Sequence, residues 1–287
     1  MQNTKIYYLF NNMKNYKNYL WNVFKRTSLN RNFELSVFEY VKNKKINLPT
    51  YLSAGQETIS ASIAEICQKN KIKPLIFGQH RCHSIYLSFG GPVNKLILEL
   101  LGSKNGCTYG MGGSASIHCK KINMYGHDGH MGTQVPIGTG ACFESGKPTI
   151  VFMGDASAEE DYVLGALGWA STKKLPILFV VEDNNLSILT EKKIRRNWNM
   201  HEVARSFKMR GYNISDDPNE ILKYQKYFFK GPMLLNINTN RLFWHSGAGI
   251  DSEKIFDRYK NIMKKIGRKS TLYDKKTNQF IKQKWKT

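Results

Sequence analysis

The sequence predicts an α/β fold with a mostly parallel central sheet and helices on both faces. Two short apolar runs, Ile150–Met153 and Ile177–Val181, are typical of buried parallel strands. The stretch Tyr162–Thr172 between them is rich in Ala, Gly and Leu, which favours a helix packed closely on a sheet. Together these three segments predict a strand–helix–strand unit with parallel strands.

An oxygen-bearing side chain follows each of these two strands. Asp155 comes after the first strand and Asn184 after the second. Because ligands of open α/β sheets bind outside the carboxyl ends of the strands, we expect both side chains at one edge. Carboxylate and amide oxygens suit Mg²⁺, which often takes phosphate oxygens as further ligands. The unit therefore predicts a site for Mg²⁺ and a diphosphate.

Gly154-Asp155 followed by Asn184 resembles the thiamine diphosphate motif, and the surrounding text resembles the alpha subunit of the first component of 2-oxoacid dehydrogenases. Pyruvate, branched-chain and acetoin dehydrogenases contain such subunits. The resemblance implies the thiamine diphosphate-binding fold. It also implies Mg²⁺ held by Asp155, Asn184 and the backbone carbonyl of Leu186. The spacing favours Asn184 over Asn185, and both stay open as the ligand.

One departure from the motif concerns its third residue. The family has Gly there, whereas this chain has Ala156. The added methyl group either crowds the diphosphate or is tolerated because the backbone keeps φ negative. By the resemblance, Gly154, Ala156 and Ser157 contact the cofactor beside Asp155.

The chain before this unit divides into a helical extension, residues 1–47, and the start of a cofactor-binding domain, residues 48–251. The turn Ser53–Glu57 resembles the family's Gly-Gln-Glu turn, where a helix begins. Tyr51 stands where the family usually has His, and we expect it at the cofactor. A phenol can donate a hydrogen bond but cannot carry a positive charge toward a phosphate.

The segment His80-Arg81-Cys82-His83 resembles the family's (Tyr/His)-Arg-x-His. The resemblance implies that Arg81 contacts the diphosphate, for which a guanidinium fork is suited, and that His80 lies beside it. His83 is interpreted either as a catalytic proton carrier or as a structural histidine. A zinc site at His80 and His83 is disfavoured, because no cluster of Cys or carboxylates joins them.

Two glycine-rich segments follow. The glycine-rich loop, Gly106–Ser116, resembles a family loop near the active-site entrance, with Met111 in place of Arg, and a flexible connector is the alternative. Gly126–Gly140 resembles the family segment that opens a helix under the cofactor. By that resemblance Gly129 lies at the cofactor and Met131 supports it from beneath, unless Met131 is an ordinary core residue.

The last predicted elements of the domain are helices at Met200–Lys208 and Asp216–Lys230 and strands at Gly211–Ile214 and Pro232–Asn238. The loop after the final strand resembles the family's Arg-x-x-x-His-Ser. The resemblance implies His245 as a catalytic proton or orientation residue at the cofactor, with Arg241 ordering the loop. Residues 252–287 are expected to form a basic C-terminal helix or tail.

Composition excludes several classes of protein. The net charge is +21, but lysine is spread along all 287 residues and matches no nucleic-acid module, so no nucleic-acid partner is expected. The sequence has neither a long apolar run nor an evident secretory signal, so no membrane span is expected. Five scattered cysteines favour reduced thiols and a cytoplasmic location.

The function expected from the resemblance is that of an alpha subunit using thiamine diphosphate and Mg²⁺ to decarboxylate a small 2-oxoacid such as pyruvate. A beta subunit with a transketolase-like pyrimidine domain would supply a missing Glu in an α2β2 assembly. A lipoyl acyltransferase is a further expected partner. Alternatives are a carboligase or transketolase-like subunit with a sugar or aldehyde acceptor, and a non-catalytic scaffold. A Rossmann-type nucleotide-binding module is disfavoured, because this class needs Gly-x-Gly-x-x-Gly after a first strand and the sequence has no such motif there.

Overall fold

A six-stranded parallel sheet forms the centre of the protein in a computed structural model that describes residues 2–251 and 255–286. Its strand order is β2-β1-β3-β4-β8-β7, and every neighbouring pair is parallel. A small antiparallel pair, β5 and β6, lies outside it. The strands are β1 Leu75–Phe77, β2 Met124–Tyr125, β3 Thr149–Gly154, β4 Ile177–Asp183, β5 Leu186–Ser187, β6 Thr190–Glu191, β7 Arg210–Ser215 and β8 Met233–Asn238. This architecture confirms the predicted fold class.

Helices cover both faces of the sheet. They are α1 Gln2–Lys42, α2 Glu57–Lys69, α3 His83–Ser88, α4 Val93–Leu100, α5 Gln134–Ser145, α6 Asp161–Thr172, α7 Lys192–Arg195, α8 Met200–Ser206, α9 Pro218–Lys223, α10 Arg258–Ile266 and α11 Arg268–Lys284. The predicted strand–helix–strand unit is confirmed as β3, α6 and β4. Its two strands pair in parallel from Thr149 opposite Ile177 to Gly154 opposite Glu182.

Side chains alternate between the two faces of the sheet and so build two cores. Ile150, Phe152, Leu178 and Val180 point into a core shared with α1 and α2. On the opposite face, Val151, Met153, Phe179 and Val181 pack in a second core with residues of α5, α6 and α8. Because both faces are covered, β3 and β4 are apolar along most of their length.

The C-terminal residues fold back onto the long first helix. α11 packs along α1, and Phe24 of α1 stacks on Tyr259 of α10 with ring centroids 5.7 Å apart. Of the alternatives for residues 252–287, helices therefore account for most of the segment; residues 252–254 and 287 lie outside the described part. The division into three predicted domains stays a prediction.

The predicted helix at Asp216–Lys230 is wrong in its length. Asp217 caps α9 by accepting a hydrogen bond from the backbone N–H of Asn219, and α9 ends before Tyr224. A short 3-10 turn follows, and Phe229 then adopts φ of +61°. The ring of Tyr224 packs on Tyr212 of β7, 4.3 Å between centroids, so this contact outweighs the continuation of the helix.

All five cysteines are free thiols, as expected. In the part of the chain that the structure describes, no helix combines the length and the apolar character needed to cross a membrane.

Candidate active site

A cavity of about 390 Å³ opens at the carboxyl ends of β1, β3 and β4. Its size lies within the range of roughly 300–1,000 Å³ that is usual for small-molecule sites. Every residue predicted to bind the cofactor lines it: Tyr51, His80, Arg81, Gly129, Met131, Gly154, Asp155, Ala156, Ser157, Asn184, Leu186 and His245. The fold thus brings together residues that are widely separated in the sequence.

Asp155 follows β3 and is almost completely buried at the cavity wall. Its Oδ2 accepts a hydrogen bond from the guanidinium of Arg195, and its backbone carbonyl accepts one from Arg196 at 2.8 Å. Burial, and then the nearby Asp183 carboxylate, raise the pKa of Asp155 to about 6, although Arg195 opposes this change. The guanidinium of Arg195 thus places a positive charge next to Asp155 in the folded protein.

Asn184 and Leu186 contribute the next section of wall. The Oδ1 of Asn184 accepts a hydrogen bond from the backbone N–H of Leu186 at 3.0 Å, which closes a tight turn after β4. Asn185 is in the left-handed region, with φ of +67°, and does not line the cavity. The geometry favours Asn184 as the ligand of the two.

Ala156 fits the strand end without backbone strain. Its φ is −74° and its ψ is −41°, ordinary right-handed helical values for an L-residue. Of the two alternatives for the methyl group, tolerance with negative φ is the one that the backbone permits.

Arg81 lies buried at the end of β1, where it joins two distant segments. Its Nη1 donates to the backbone carbonyl of Leu52 at 2.8 Å, and its Nη2 donates to that of His245 at 3.3 Å. Burial, followed by the nearby Arg241, lowers the pKa of Arg81 to about 10, so the group stays charged at neutral pH. An anion in the cavity would find this charge in place.

An aromatic and imidazole cluster stands beside Arg81. The ring centroid of Tyr51 lies 5.0 Å from that of His80 and 5.5 Å from that of His245. Burial, and then Arg81, lower the pKa of His80 well below its ordinary value and that of His245 to about 4. Both imidazoles are therefore neutral near pH 7 and can donate or accept hydrogen bonds.

His83 takes a different place. Its ring is completely buried, with Nδ1 3.2 Å from Glu34 Oε2 and Nε2 2.9 Å from Ser114 Oγ, and it does not line the cavity. This geometry favours the structural role over that of a catalytic proton carrier. The carboxylate that contacts Nδ1 belongs to Glu34 of α1, so the local motif could not show it.

Met131 and Gly129, from the segment before α5, also line the cavity. The side chain of Met131 is 46% exposed, so it is not an ordinary core residue. Gly129 adopts φ of +112°, and a Cβ there would meet no heavy atom within 4 Å. Open space above Gly129 leaves room for a ligand to approach the backbone closely.

Glu182, Gln79 and His127 also line the cavity, although the sequence did not single them out as site residues. Gln79 donates a hydrogen bond to Glu182 Oε2, and burial raises the pKa of Glu182 to about 7. A carboxylate next to the last position of an otherwise apolar strand is the signal that marks Glu182. Of the glycine-rich loop, Ala115 and Ser116 reach the cavity.

The donor set suits Mg²⁺ and a diphosphate. Asp155, Asn184 and Leu186 present a carboxylate, an amide and a backbone carbonyl, which are the oxygen ligands of hard cations. Two buried atoms of the wall, His80 Nε2 and Glu182 Oε1, lack a hydrogen-bond partner among the described residues, as expected where a polar ligand completes a site. The described residues contain no cluster of three or more His, Cys, Asp or Glu that could hold a metal ion.

Comparison with known proteins adds independent information. The family model of the dehydrogenase E1 component matches residues 25–275. The pyruvate dehydrogenase E1 component subunit alpha-1 of Arabidopsis thaliana is 28% identical over 242 residues, covering 79% of this chain and 60% of the relative. The corresponding alpha subunit of Chaetomium thermophilum is 33% identical over 165 residues, 56% of this chain and 39% of the relative. The chain thus spans less than two thirds of the length of either relative.

A bacterial relative is matched over more of its length. The pyruvate dehydrogenase alpha subunit of Rickettsia prowazekii is 28% identical over 255 residues, 83% of this chain and 77% of that protein. Among solved structures, a transketolase mutant from Pichia stipitis matches 92% of this chain and 46% of its own, with a TM-score of 0.56 and 17% identity. Such low identity shows a shared fold and nothing beyond it.

Proposed function

Because the chain belongs to the dehydrogenase E1 component family, we propose that it is the alpha subunit of a thiamine diphosphate- and Mg²⁺-dependent 2-oxoacid dehydrogenase. The observation that carries this proposal is the shared edge of Asp155, Asn184 and Leu186, with Arg81 in the same cavity. Three oxygen donors and one buried guanidinium match the needs of a metal–diphosphate group.

Each group of residues has its own part in the proposal. Asp155, Asn184 and the Leu186 carbonyl would hold Mg²⁺, and Arg81 would bind a diphosphate oxygen. Gly154 and Ser157 at the β3 end, together with Gly129 and Met131, line the part of the cavity that would take the remainder of the cofactor. When bound, the cofactor would supply a thiazolium ring as the acceptor of the electron pair that a 2-oxoacid releases on losing CO₂.

His245 and Tyr51 face the place where a substrate would lie. Neutral His245 can donate a hydrogen bond to a substrate oxygen and hold it in one orientation. The hydroxyl of Tyr51 offers a second donor without adding charge. The wall therefore orients a small polar 2-oxoacid while Arg81 keeps the cavity electropositive.

The proposal includes partners. The relatives are named as alpha subunits, which supports a beta subunit that completes the active site in an α2β2 assembly. A lipoyl acyltransferase would take up the acyl unit. Activity assays with different 2-oxoacids would identify the substrate. Assays with different acceptors would show whether a sugar or aldehyde replaces the lipoyl group. A cytoplasmic location stays a prediction.

Titration calorimetry of the chain together with its beta subunit tests the proposal. Thiamine diphosphate should bind when Mg²⁺ is present and bind poorly without it. Asp155→Asn should weaken this binding strongly, whereas Asp161→Asn, at the exposed start of α6, should leave it unchanged. Equal binding by both variants would refute the metal assignment. Reduction of a dye by 2-oxoacids, compared with product formation from added aldehydes, identifies the acceptor class.

A further inference from the structure

A buried carboxylate occupies the centre of the glycine-rich loop. Glu99, near the end of α4, is completely buried. Its Oε2 accepts hydrogen bonds from the backbone N–H groups of Thr108 at 2.7 Å and Gly110 at 3.0 Å. Its Oε1 accepts from those of Gly112 at 2.8 Å and Gly113 at 3.1 Å. Four backbone N–H groups thus donate hydrogen bonds to one buried carboxyl group, which satisfies both of its oxygen atoms.

Several glycines of the loop are needed for it to pass closely around the carboxylate of Glu99. A Cβ on Gly106 would collide with the side chain of Glu99. Gly110 and Gly113 adopt φ of +76° and +57°, in the region that side chains rarely enter. The loop's composition therefore reflects a fixed conformation around Glu99 and argues against a flexible connector.

The far end of the loop reaches the cavity. Ser114 Oγ accepts a hydrogen bond from the backbone N–H of Tyr51 at 2.9 Å and lies 2.9 Å from Nε2 of His83. Ala115 and Ser116, the next two residues, line the cavity together with the side chain of Tyr51. A continuous chain of contacts joins Glu99 to the cavity wall.

We propose that Glu99 is a positioning residue of the active site: it sets the conformation of the glycine-rich loop and, through Ser114, the place of Tyr51 on the cavity wall. Glu99 itself touches no part of the cavity. The inference rests on the proposed function only for the identity of the ligand, thiamine diphosphate. The placement of Tyr51 can be measured without any ligand.

The experiment compares Glu99→Gln with Glu65→Gln in the chain bound to its beta subunit. The amide turns a donor toward two backbone N–H groups and leaves them without an acceptor. Glu65 is a matched control, because it is buried and accepts hydrogen bonds from Asn22 and Arg26 far from the cavity. Hydrogen exchange of the loop amides and of the Tyr51 amide is measured first, and binding of Mg²⁺-thiamine diphosphate second.

We expect Glu99→Gln to speed exchange in the loop and at Tyr51, and to weaken cofactor binding by roughly tenfold. Glu65→Gln should change neither. The proposal is overturned if Tyr51 keeps its protection and binding is unchanged, or if both variants weaken binding equally. Failure of the unmodified protein to bind the cofactor would reject the proposed function, and exchange at Tyr51 would then decide the role of Glu99.

A second variant serves if Glu99→Gln does not fold. Ser114→Ala removes the link to Tyr51 while the four hydrogen bonds to Glu99 remain. We expect faster exchange at Tyr51, weaker cofactor binding and unchanged exchange at residues 106–113. Unchanged exchange at Tyr51 would overturn the proposed path from the loop to the cavity.

Discussion

Asn184 donates a hydrogen bond from its amide nitrogen to Oε1 of Gln56, 3.2 Å away. This contact joins the end of β4 to the residue that precedes α2. Because its nitrogen is held in this way, the side chain has one orientation, and its oxygen faces the turn closed by Leu186. The Gly-Gln-Glu turn thereby orients a predicted metal ligand, besides starting a helix.

A pair of neighbouring substitutions tests which asparagine binds the metal. Asn184→Ala should weaken Mg²⁺-dependent cofactor binding by about tenfold or more, since it removes an oxygen ligand. Asn185→Gly should leave binding unchanged, because Asn185 has φ of +67°, a conformation that Gly adopts without strain. Calorimetry of both variants measures the effect. The opposite ranking would transfer the metal assignment to Asn185.

Acid should destabilise the protein through its cavity histidines. Burial lowers the pKa of His245 from 6.5 to about 4, so between these values the unfolded chain takes up a proton that the folded chain does not. Stability from this group is therefore intact above pH 6.5 and decreases as the pH falls toward 4. His80, whose pKa is also lowered, acts in the same direction.

Urea unfolding at pH 7 and pH 5 checks this dependence. His245→Gln should lose less stability between the two pH values than the unmodified protein does. His118→Gln, an exposed control, should follow the unmodified protein. An unchanged pH dependence in His245→Gln would show that other groups control acid unfolding.

Alanine substitutions at two glycines of α5 should change the free energy of unfolding in opposite directions. A Cβ on Gly138 would lie 2.7 Å from Cγ2 of Val151 and 2.9 Å from Cδ2 of Phe77, so Gly138→Ala should destabilise the fold by about 1–3 kcal/mol. Gly140 faces open space, and Gly140→Ala should stabilise it by roughly 0.5–1 kcal/mol. Chemical unfolding in the absence of ligand gives both values. Destabilisation of equal size would contradict the packing of α5 against the sheet.

Arg31 should be among the most sensitive positions of α1. Its Nε lies 2.6 Å from Glu57, its Nη1 lies 2.7 Å from Asp257, and its guanidinium covers the ring of Tyr259 at 4.7 Å. Arg31→Ala leaves two buried carboxylates without their partner, which costs about 3–5 kcal/mol. The free energy of unfolding measures this.

Lys193→Ala, which breaks the exposed pair with Glu191, is the control for this variant and should change little. Similar losses in the two variants would mean that burial does not set the strength of these pairs.

Strand ends could be read from the sequence because parallel strands leave a simple pattern. Ile150–Met153 and Ile177–Val181 are continuous apolar runs, and the residues after them had to meet at one edge of the sheet. The positions of Asp155 and Asn184 follow from that rule. That both residues lie at the same cavity could therefore be predicted without information on long-range contacts.

Other features depend on contacts that no local pattern records. Arg195 reaches Asp155 from a separate helix, and Glu34 of α1 fixes His83 in a buried network. The many glycines of the loop 106–116 suggest flexibility in the sequence, but in the folded chain the loop is ordered by the carboxylate of Glu99, which lies on α4. Charges that meet only in the folded chain explain each of these differences.

The cavity takes its wall from residues as far apart in sequence as Tyr51 and His245. Neither half of the polypeptide would retain affinity by itself, so occupancy reports on the integrity of the entire molecule. A ligand at a hundred times its dissociation constant would add about 2.7 kcal/mol to the global unfolding free energy. Melting temperature should consequently climb with ligand concentration, which makes thermal shift a direct screen for whatever this protein binds.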